Sequence, residues 1–318
     1  MKKPRIRKDN KQVQYKNLTN KSNLPEVIMQ AVQNDSYTSS ESDISVTSLI
    51  KPARIRALEK QHKEYIEQDV SDLIFTLLGQ SVHSVIERAV TEDDIAEMRL
   101  FYKGPETNDW TMSGQFDYLT GKGELIDFKV TSAWTALDAL QNGKTEWEQQ
   151  LNILDFLCYH NPKLLQNKKN KLIEVQSLSI MAILRDWSKL RVMQSDNYPR
   201  QQVVMIPIRR WTHEEQALFI KERIKIHQET AKAEEYPLCT PQERWRKEDS
   251  FAIMKTNRKS ALRVLPTREQ ANQYLKDKGL QDSKEITIIH RKGEDVRCQN
   301  YCPVNQFCSY YMDTKTAF

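Results

Sequence analysis

Asp127 and Lys129 stand two apart within Glu124-Leu-Ile-Asp-Phe-Lys-Val-Thr131, a run of strand-forming residues, so both side chains leave the same face of a strand. Asp117 lies in a second strand-like run, Trp110–Leu119, and Gly121-Lys-Gly123 between the two runs reads as a turn. The resulting hairpin brings Asp117 beside Asp127. Two carboxylates held close repel each other unless a cation sits between them. Mg²⁺ or Mn²⁺ accepts an oxygen-rich site of this kind. Such an ion polarises a phosphate oxygen and activates a water. A lysine two residues on places its ammonium against that water or the developing negative charge. Together these residues have the minimal chemistry of phosphodiester hydrolysis.

Periodicity indicates the elements that must hold them. Residues 53–90 read as helical, with Ile74, Leu77, Leu78, Val82, Val85 and Ile86 spaced by three and four. Gly79, His83 and Glu87 form one stripe on that helix. On its own, His83 reads as a structural histidine and Glu87 as a solvated helix residue. Thr47–Lys51 opens a short helix that Pro52 ends. Met98–Tyr102 is a strand, and Glu146–Tyr159 returns to helix. Strands follow near 174–184 and 202–211, and a long amphipathic helix fits 212–235. Pro237 and Pro241 mark a boundary. Beyond it, Phe251–Leu265, a helix at 267–278 and Ile286–His290 indicate a small α/β lobe.

The set Gly114-Gln-Phe-Asp117 followed by Asp127-Phe-Lys129 resembles the G-x-x-D … (D/E)-x-K signature of the PD-(D/E)XK nuclease superfamily. Gly79-Gln-Ser-Val-His83 resembles the G-x-x-x-H helix of its RecB-like and Cas4-like branch. Glu146-Trp-Glu-Gln-Gln150-Leu resembles the following helix of that branch, with Gln149 as the alternative to Gln150; Leu154 stands where the branch commonly has tyrosine. The resemblance covers roughly residues 45–235. It implies a restriction-endonuclease-like α/β core, a mixed sheet flanked by helices. It also implies metal ligation by His83, Asp117, Asp127 and the Phe128 carbonyl, with Lys129 and Gln150 completing the catalytic set. The chain as a whole is similar to phage-encoded exonucleases, which would place it in the cytoplasm of a bacterial host.

Five cysteines are present, and Cys298, Cys302 and Cys308 crowd into eleven residues. Clustering of this kind argues for metal ligation rather than disulfides in an intracellular chain. With Cys239, four thiolates can hold a tetrahedral Zn²⁺ or an iron–sulfur cluster. One distant cysteine plus a triplet resembles the [4Fe–4S] staple of Cas4-like and AddB-like nucleases; structural zinc is the alternative. Tyr301, Phe307 and Tyr310 could shield a cluster from water. Cys158, in an apolar helical run, reads as a small core residue.

The remaining composition bounds the answer. Of 318 residues, 39% are hydrophobic and 29% charged, which suits a globular chain with a heavily solvated surface. No apolar stretch approaches the ~18 residues of a membrane span, and no apolar run follows the charged N-terminus, so an intracellular protein without membrane association is expected. Net charge is +5, and Lys2 to Lys16 form a basic arm. Residues 1–40 are polar and expected to hold little fixed structure. The expected organisation is this arm, a nuclease core over 41–235, and a metal-stapled lobe over 236–318. Candidate phosphate contacts are Arg209, Arg210, Arg244 and Lys247, with Trp211 and Trp245 able to stack or pack. DNA, single-stranded or with free ends, is the expected partner, together with a recombination or single-strand-binding protein. The rival expectation is a catalytically silent DNA-binding or recombination-complex protein that keeps the nuclease fold.

Overall fold

The computed structural model describes residues 17–33 and 42–316. The basic residues Lys2 to Lys16 and most of the Ser36–Ser42 segment lie outside these. In chain order the elements are β1 (Leu18–Thr19), α1 (Glu26–Gln33), β2 (Ile44–Ser45), α2 (Val46–Ile50), α3 (Ala53–Gln61), β3 (Gln68–Asp69), α4 (Ile74–Glu87), β4 (Ile95–Tyr102), β5 (Met112–Leu119), β6 (Glu124–Thr131), α5 (Ala133–Asn142), α6 (Thr145–His160), β7 (Ser177–Leu184), α7 (Lys189–Gln194), β8 (Val203–Ile208) and α8 (His213–Lys232). Then follow β9 (Arg246–Lys247), β10 (Ser250–Lys255), β11 (Arg263–Leu265), α9 (Arg268–Asp277), β12 (Ile286–Arg291), β13 (Glu294–Asp295), α10 (Val296–Asn300) and α11 (Ser309–Thr316).

Two compact units form. The first takes the described residues up to Lys51 together with Glu64–Glu234; the second takes Pro52–Lys63 and the chain from Glu235 onward. Residues 53–90 are therefore not one helical stretch, because α3 folds with the C-terminal unit and α4 with the first. Between them Asp69 accepts the Ser71 amide at 3.0 Å and caps a 3-10 turn, Val70–Leu73, that leads into α4.

The first unit is a mixed sheet in the order β2-β5-β6-β7-β8, with β4 paired to β5. β6 and β7 run parallel over their full length, and β7 pairs antiparallel with β8. β7 is nearly continuous in Leu, Ile and Ala, as a strand covered on both sides must be. α6 supplies Leu151, Ile153, Leu154, Phe156 and Leu157 to the core. Gly114 is required there: a Cβ on it would meet Val46 Cγ2 at 2.6 Å and Leu154 Cδ2 and Leu157 Cδ1 at 2.8 Å. α8 begins on a capping box between Thr212 and Glu215. Its His227 contacts the Leu49 carbonyl at 3.0 Å, and Arg223 donates to the same carbonyl.

One segment differs from expectation. Residues 18–33 are ordered: β1 pairs with β3, and Val32 joins Val70 and Leu73 in a small apolar cluster backed by Leu24, Ile28 and Met29. The i, i+4 spacing of Ile28 and Val32 outweighs the polar composition. Helix α5 fills the interval between β6 and α6, started by the Ser132 side chain accepting the Thr135 amide at 3.1 Å.

The second unit has an antiparallel sheet, β11-β10-β12, closed by α9 over Ile253, Ala271 and Leu275. A β9–β13 ribbon leads into α10 and the cysteine triplet. Among the described residues no helix is long and apolar enough to cross a membrane.

Candidate functional site

The β5–β6 hairpin is zipped only at its turn. Leu119 pairs with Leu125 and Tyr118 with Ile126. The next facing positions are Asp117 and Asp127, and there the ladder stops. Instead of a strand bond, the Phe128 amide donates to Asp117 Oδ2 at 2.7 Å. The carboxylate of Asp117 thus spans the split between the two strands. On its other side β5 pairs with β4, where Ala96 faces Tyr118 and Met98 faces Phe116, so Glu97 stands opposite Asp117.

Three ligand atoms converge at this split. His83 from α4, Glu97 from β4 and Asp117 from β5 each offer one within 4.8 Å of the others. His83 Nδ1 lies 3.1 Å from Glu97 Oε1 and 3.6 Å from Asp117 Oδ1. Glu97 Oε2 accepts from Gln115 Nε2 at 2.6 Å, and Arg99 donates to Gln115 Oε1 at 3.1 Å. Glu97 also has φ of +50°, the left-handed region that a non-glycine residue occupies only when its surroundings force it. Such positions cluster where function demands a side-chain direction. In the sequence Glu97 and Glu124 stand alike as acids that could assist the site. The role of Glu97 depends on the β4–β5 register and this backbone twist, neither of which leaves a local signal.

Beside the three lies an ion pair between a buried acid and a half-buried lysine. Asp127 is 2% exposed, and Lys129 Nζ sits 2.6 Å from its Oδ2. Gln150, from α6, donates to Asp127 Oδ1 at 2.8 Å. Gln150, not the alternative Gln149, therefore touches the carboxylate. Phe128, between the acid and the lysine, meets the His83 ring edge to face at 5.8 Å.

The electrostatics follow from burial and crowding. Loss of water, then the charge of Asp127, pushes the Asp117 carboxyl up to about 7. Burial works against the Lys129 ammonium, but the charge and contact of Asp127, with Asp117 behind it, outweigh this and raise its pKa above the ordinary value. The Glu97 contact raises His83 against burial, and the charge of Asp117 adds to it. A buried acidic site whose own charge is this costly fits a divalent cation, which would discharge it. Oxygen donors with one imidazole suit Mg²⁺ or Mn²⁺.

The two remaining positions of the motifs are less engaged. A Cβ on Gly79 would meet nothing within 4 Å, so packing does not explain glycine there. Leu154 is buried in the core, where its Cδ2 would lie 2.8 Å from a Cβ on Gly114.

The second unit gathers its four cysteines. Cys239, Cys298, Cys302 and Cys308 line one cavity with Leu58, Val304 and Arg54. Burial, followed by nearby negative charge that includes the other thiols, pushes Cys239 up to about 12; burial and the charge of Asp295 push Cys298 up to about 11. Cys239 and Cys298 therefore hold their protons at neutral pH unless a cation compensates the thiolates. Tyr310 lines the same cavity, whereas Tyr301 is exposed and Phe307 stacks on His62 at 4.2 Å. Cys158 is buried in α6.

The four candidate phosphate contacts all hold acidic partners. Arg210, itself one-third exposed, donates to both oxygens of buried Asp155, at 2.7 and 3.1 Å. Arg244 pairs with Asp295 at 3.2 Å and covers the Tyr310 ring. Arg209 pairs with Glu215 at 2.6 Å and Lys247 with Glu294 at 3.0 Å, both near the surface. Trp211 donates to Glu148 and packs on Phe219; Trp245 packs on Tyr301 under Arg297.

At the C-terminal ends of β6 and β7 a different surface is open. The Arg185 amide donates to the Thr131 carbonyl at 2.9 Å, and its guanidinium covers the Phe75 ring at 4.1 Å. Phe75 is 54% exposed, and Trp134, three residues past Thr131, is 62% exposed.

No family model matches the chain, and no curated protein matches it. Solved structures similar to it include the crystal structure of SSO0001, 14% identical, over 65% of this chain and 87% of that one, with a TM-score of 0.43. LHK-Exo in complex with dAMP is also 14% identical, over 60% of this chain and 88% of that one, with a TM-score of 0.36. The alkaline exonuclease LHK-Exo from Laribacter hongkongensis has the same identity and coverage, with a TM-score of 0.34.

Proposed function

We propose that the chain is a metal-dependent DNA nuclease of the PD-(D/E)XK type, an exonuclease acting on free ends or single strands in recombination, repair or replication. One observation carries this reading: the ligand atoms of His83, Glu97 and Asp117 converge within 4.8 Å beside the Asp127–Lys129 pair. Mg²⁺ or Mn²⁺, held by His83, Asp117, Asp127 and the Phe128 carbonyl with Glu97 added, would polarise the phosphate and supply an activated water when bound.

The chain's own residues do the rest. Lys129 keeps its proton, so it serves as a fixed cation that orients the water and offsets charge gathering on the phosphate. Gln150 holds the oxygen of Asp127 that Lys129 does not, which fixes the pair against rotation. Glu97, held by Gln115, sets the orientation of the His83 ring. Exposed Trp134 and the Phe75–Arg185 stack at the end of β6 support a single-stranded substrate, since base stacking is sequence-tolerant and worth ~1–3 kcal/mol per base. The four cysteines hold a [4Fe–4S] cluster, or structural Zn²⁺, in a structural role. A recombination or single-strand-binding protein is the partner such an enzyme needs, and the cytoplasm of a bacterial host is its place.

The test is digestion of end-labelled single- and double-stranded DNA with Mg²⁺ or Mn²⁺, wild type beside Lys129→Ala. Metal-dependent cleavage that vanishes in the variant is expected. Equal cleavage by the variant, or none by metal-loaded wild type, transfers the lead to the silent DNA-binding reading.

A further inference from the structure

Arg54 is a buried cation in the second unit, 9% exposed. Its Nε donates to Cys308 Sγ at 3.3 Å, one terminal nitrogen donates to the Tyr236 carbonyl, and the other donates to Ser309 Oγ at 3.0 Å. None of these three partners is a carboxylate. A buried guanidinium is costly unless a negative charge faces it. Among its partners only the sulfur can carry that charge, as a thiolate. Cys308 stands with Cys239, Cys298 and Cys302 around one cavity, which Arg54 itself lines. Four thiolates around Zn²⁺ or a [4Fe–4S]²⁺ core leave a net negative centre in either case, and a buried arginine suits both.

The same helix is gripped at its other end. The ring of His62, the C-cap of α3, lies flat on Phe307 at 4.2 Å with 2° between the planes. Phe307 belongs to the 3-10 turn Asn305–Phe307, between Cys302 and Cys308. The loop that carries the cysteine triplet therefore holds α3 at both ends. Leu58, between them, lines the cysteine cavity.

We propose that Arg54 is a positioning residue of the cysteine centre, donating to Cys308 as a metal-bound thiolate, and that it couples the docking of α3 to occupancy of that centre. This inference rests on the reading of the four cysteines as a metal centre. Hydrogen bonds to ligating sulfurs stabilise the charge on them, and removing such supporting contacts costs ~10–100-fold in metal affinity. Emptying the centre removes the negative charge that balances Arg54, so α3 loosens with it.

The experiment uses full-length protein purified without oxygen, as wild type, Arg54→Met, Arg54→Lys and Cys308→Ala. Iron, zinc and sulfide are quantified, release of metal to a chelator is timed, and amide exchange over residues 53–61 is followed by mass spectrometry. Expected are metal in the wild type, release ~10–100-fold faster from Arg54→Met, and exchange of α3 in that variant rising to the level of Cys308→Ala. Arg54→Lys keeps the buried charge and decides the matter if Arg54→Met does not fold; its release rate falls between the two. Release at the wild-type rate from the folded Arg54 variants overturns the inference alone, as does full protection of α3 in Cys308→Ala. Wild type with neither iron nor zinc overturns the metal-centre reading, and the inference with it.

Discussion

Glu97 faces Asp117 across the β4–β5 ladder, and the two carboxylates share one imidazole, His83 Nδ1, at 3.1 and 3.6 Å. An acid held in a left-handed backbone conformation, braced by Gln115 and aimed at a candidate ligand, is there for its direction. Glu97→Gln keeps the shape and removes the charge. Mn²⁺ affinity measured by calorimetry is expected to fall ~10–100-fold, as for other supporting contacts of metal ligands. The raised pKa of His83 falls with it, because the Glu97 contact is its largest cause, and an NMR titration of the metal-free protein reads that shift. Unchanged Mn²⁺ affinity would remove Glu97 from the site.

The Asp117 carboxyl titrates near 7, far above its ordinary 3.8, because it is buried beside Asp127. A cation must displace that proton and the one that His83 holds, so metal affinity is expected to drop at least tenfold per pH unit below 7. Stability of the metal-free protein has the opposite sense. Between about pH 4 and 7 the native state holds a proton that the unfolded chain has released, so stability falls as pH rises through this window. Urea titrations of metal-free wild type at pH 5 and 8 read the loss directly. Asp117→Asn should flatten it.

Two glycines of the sequence motifs separate packing from function. Gly114→Ala drives a methyl into Val46, Leu154 and Leu157 at 2.6–2.8 Å, and a cost of ~1–3 kcal/mol is expected from overpacking. Gly79→Ala meets nothing and gains helix propensity in the interior of α4, so stability should rise by ~0.5–1 kcal/mol. Thermal unfolding of both variants checks the signs. If Gly79→Ala is more stable yet loses DNA cleavage, the glycine serves close approach of the substrate; retained cleavage leaves it without a role.

What could be read from the sequence is what local pattern controls. The alternation in β5 and β6 and the glycine turn between them placed Asp117, Asp127 and Lys129 on one hairpin, and α8 begins at Thr212-x-x-Glu215, a capping box visible in the residues. The polar composition of the first forty residues hid Ile28 and Val32, whose partners Val70 and Leu73 lie some forty residues on. Long-range partners could not be seen. Glu97 depends on strand register, and α3 leaves its neighbours in sequence to join cysteines about two hundred residues away or more. The sequence sets Arg210 among the basic residues, but its partner Asp155 lies on another element and leaves no local sign.

Arg209 and Arg210 are adjacent basic residues with opposite fates. Arg210 faces Asp155, which is 1% exposed and also accepts from Gln216 at 2.8 Å. Removing the arginine strands a buried carboxylate, and losses of ~3–5 kcal/mol accompany such breaks. Arg210 is one-third exposed, so water offsets part of this and the low end, about 3 kcal/mol, is expected for Arg210→Ala. Arg209 is 65% exposed and its pair with Glu215 lies at the surface, where substitutions stay within ~0.5 kcal/mol. If Arg209 meets a phosphate, Arg209→Ala instead weakens DNA binding and lowers the salt slope of log K by about one. Urea unfolding and binding of a labelled oligonucleotide across a salt series, run on both variants, separate the roles. A destabilised Arg209→Ala, or an Arg210→Ala as stable as wild type, would reverse the assignment.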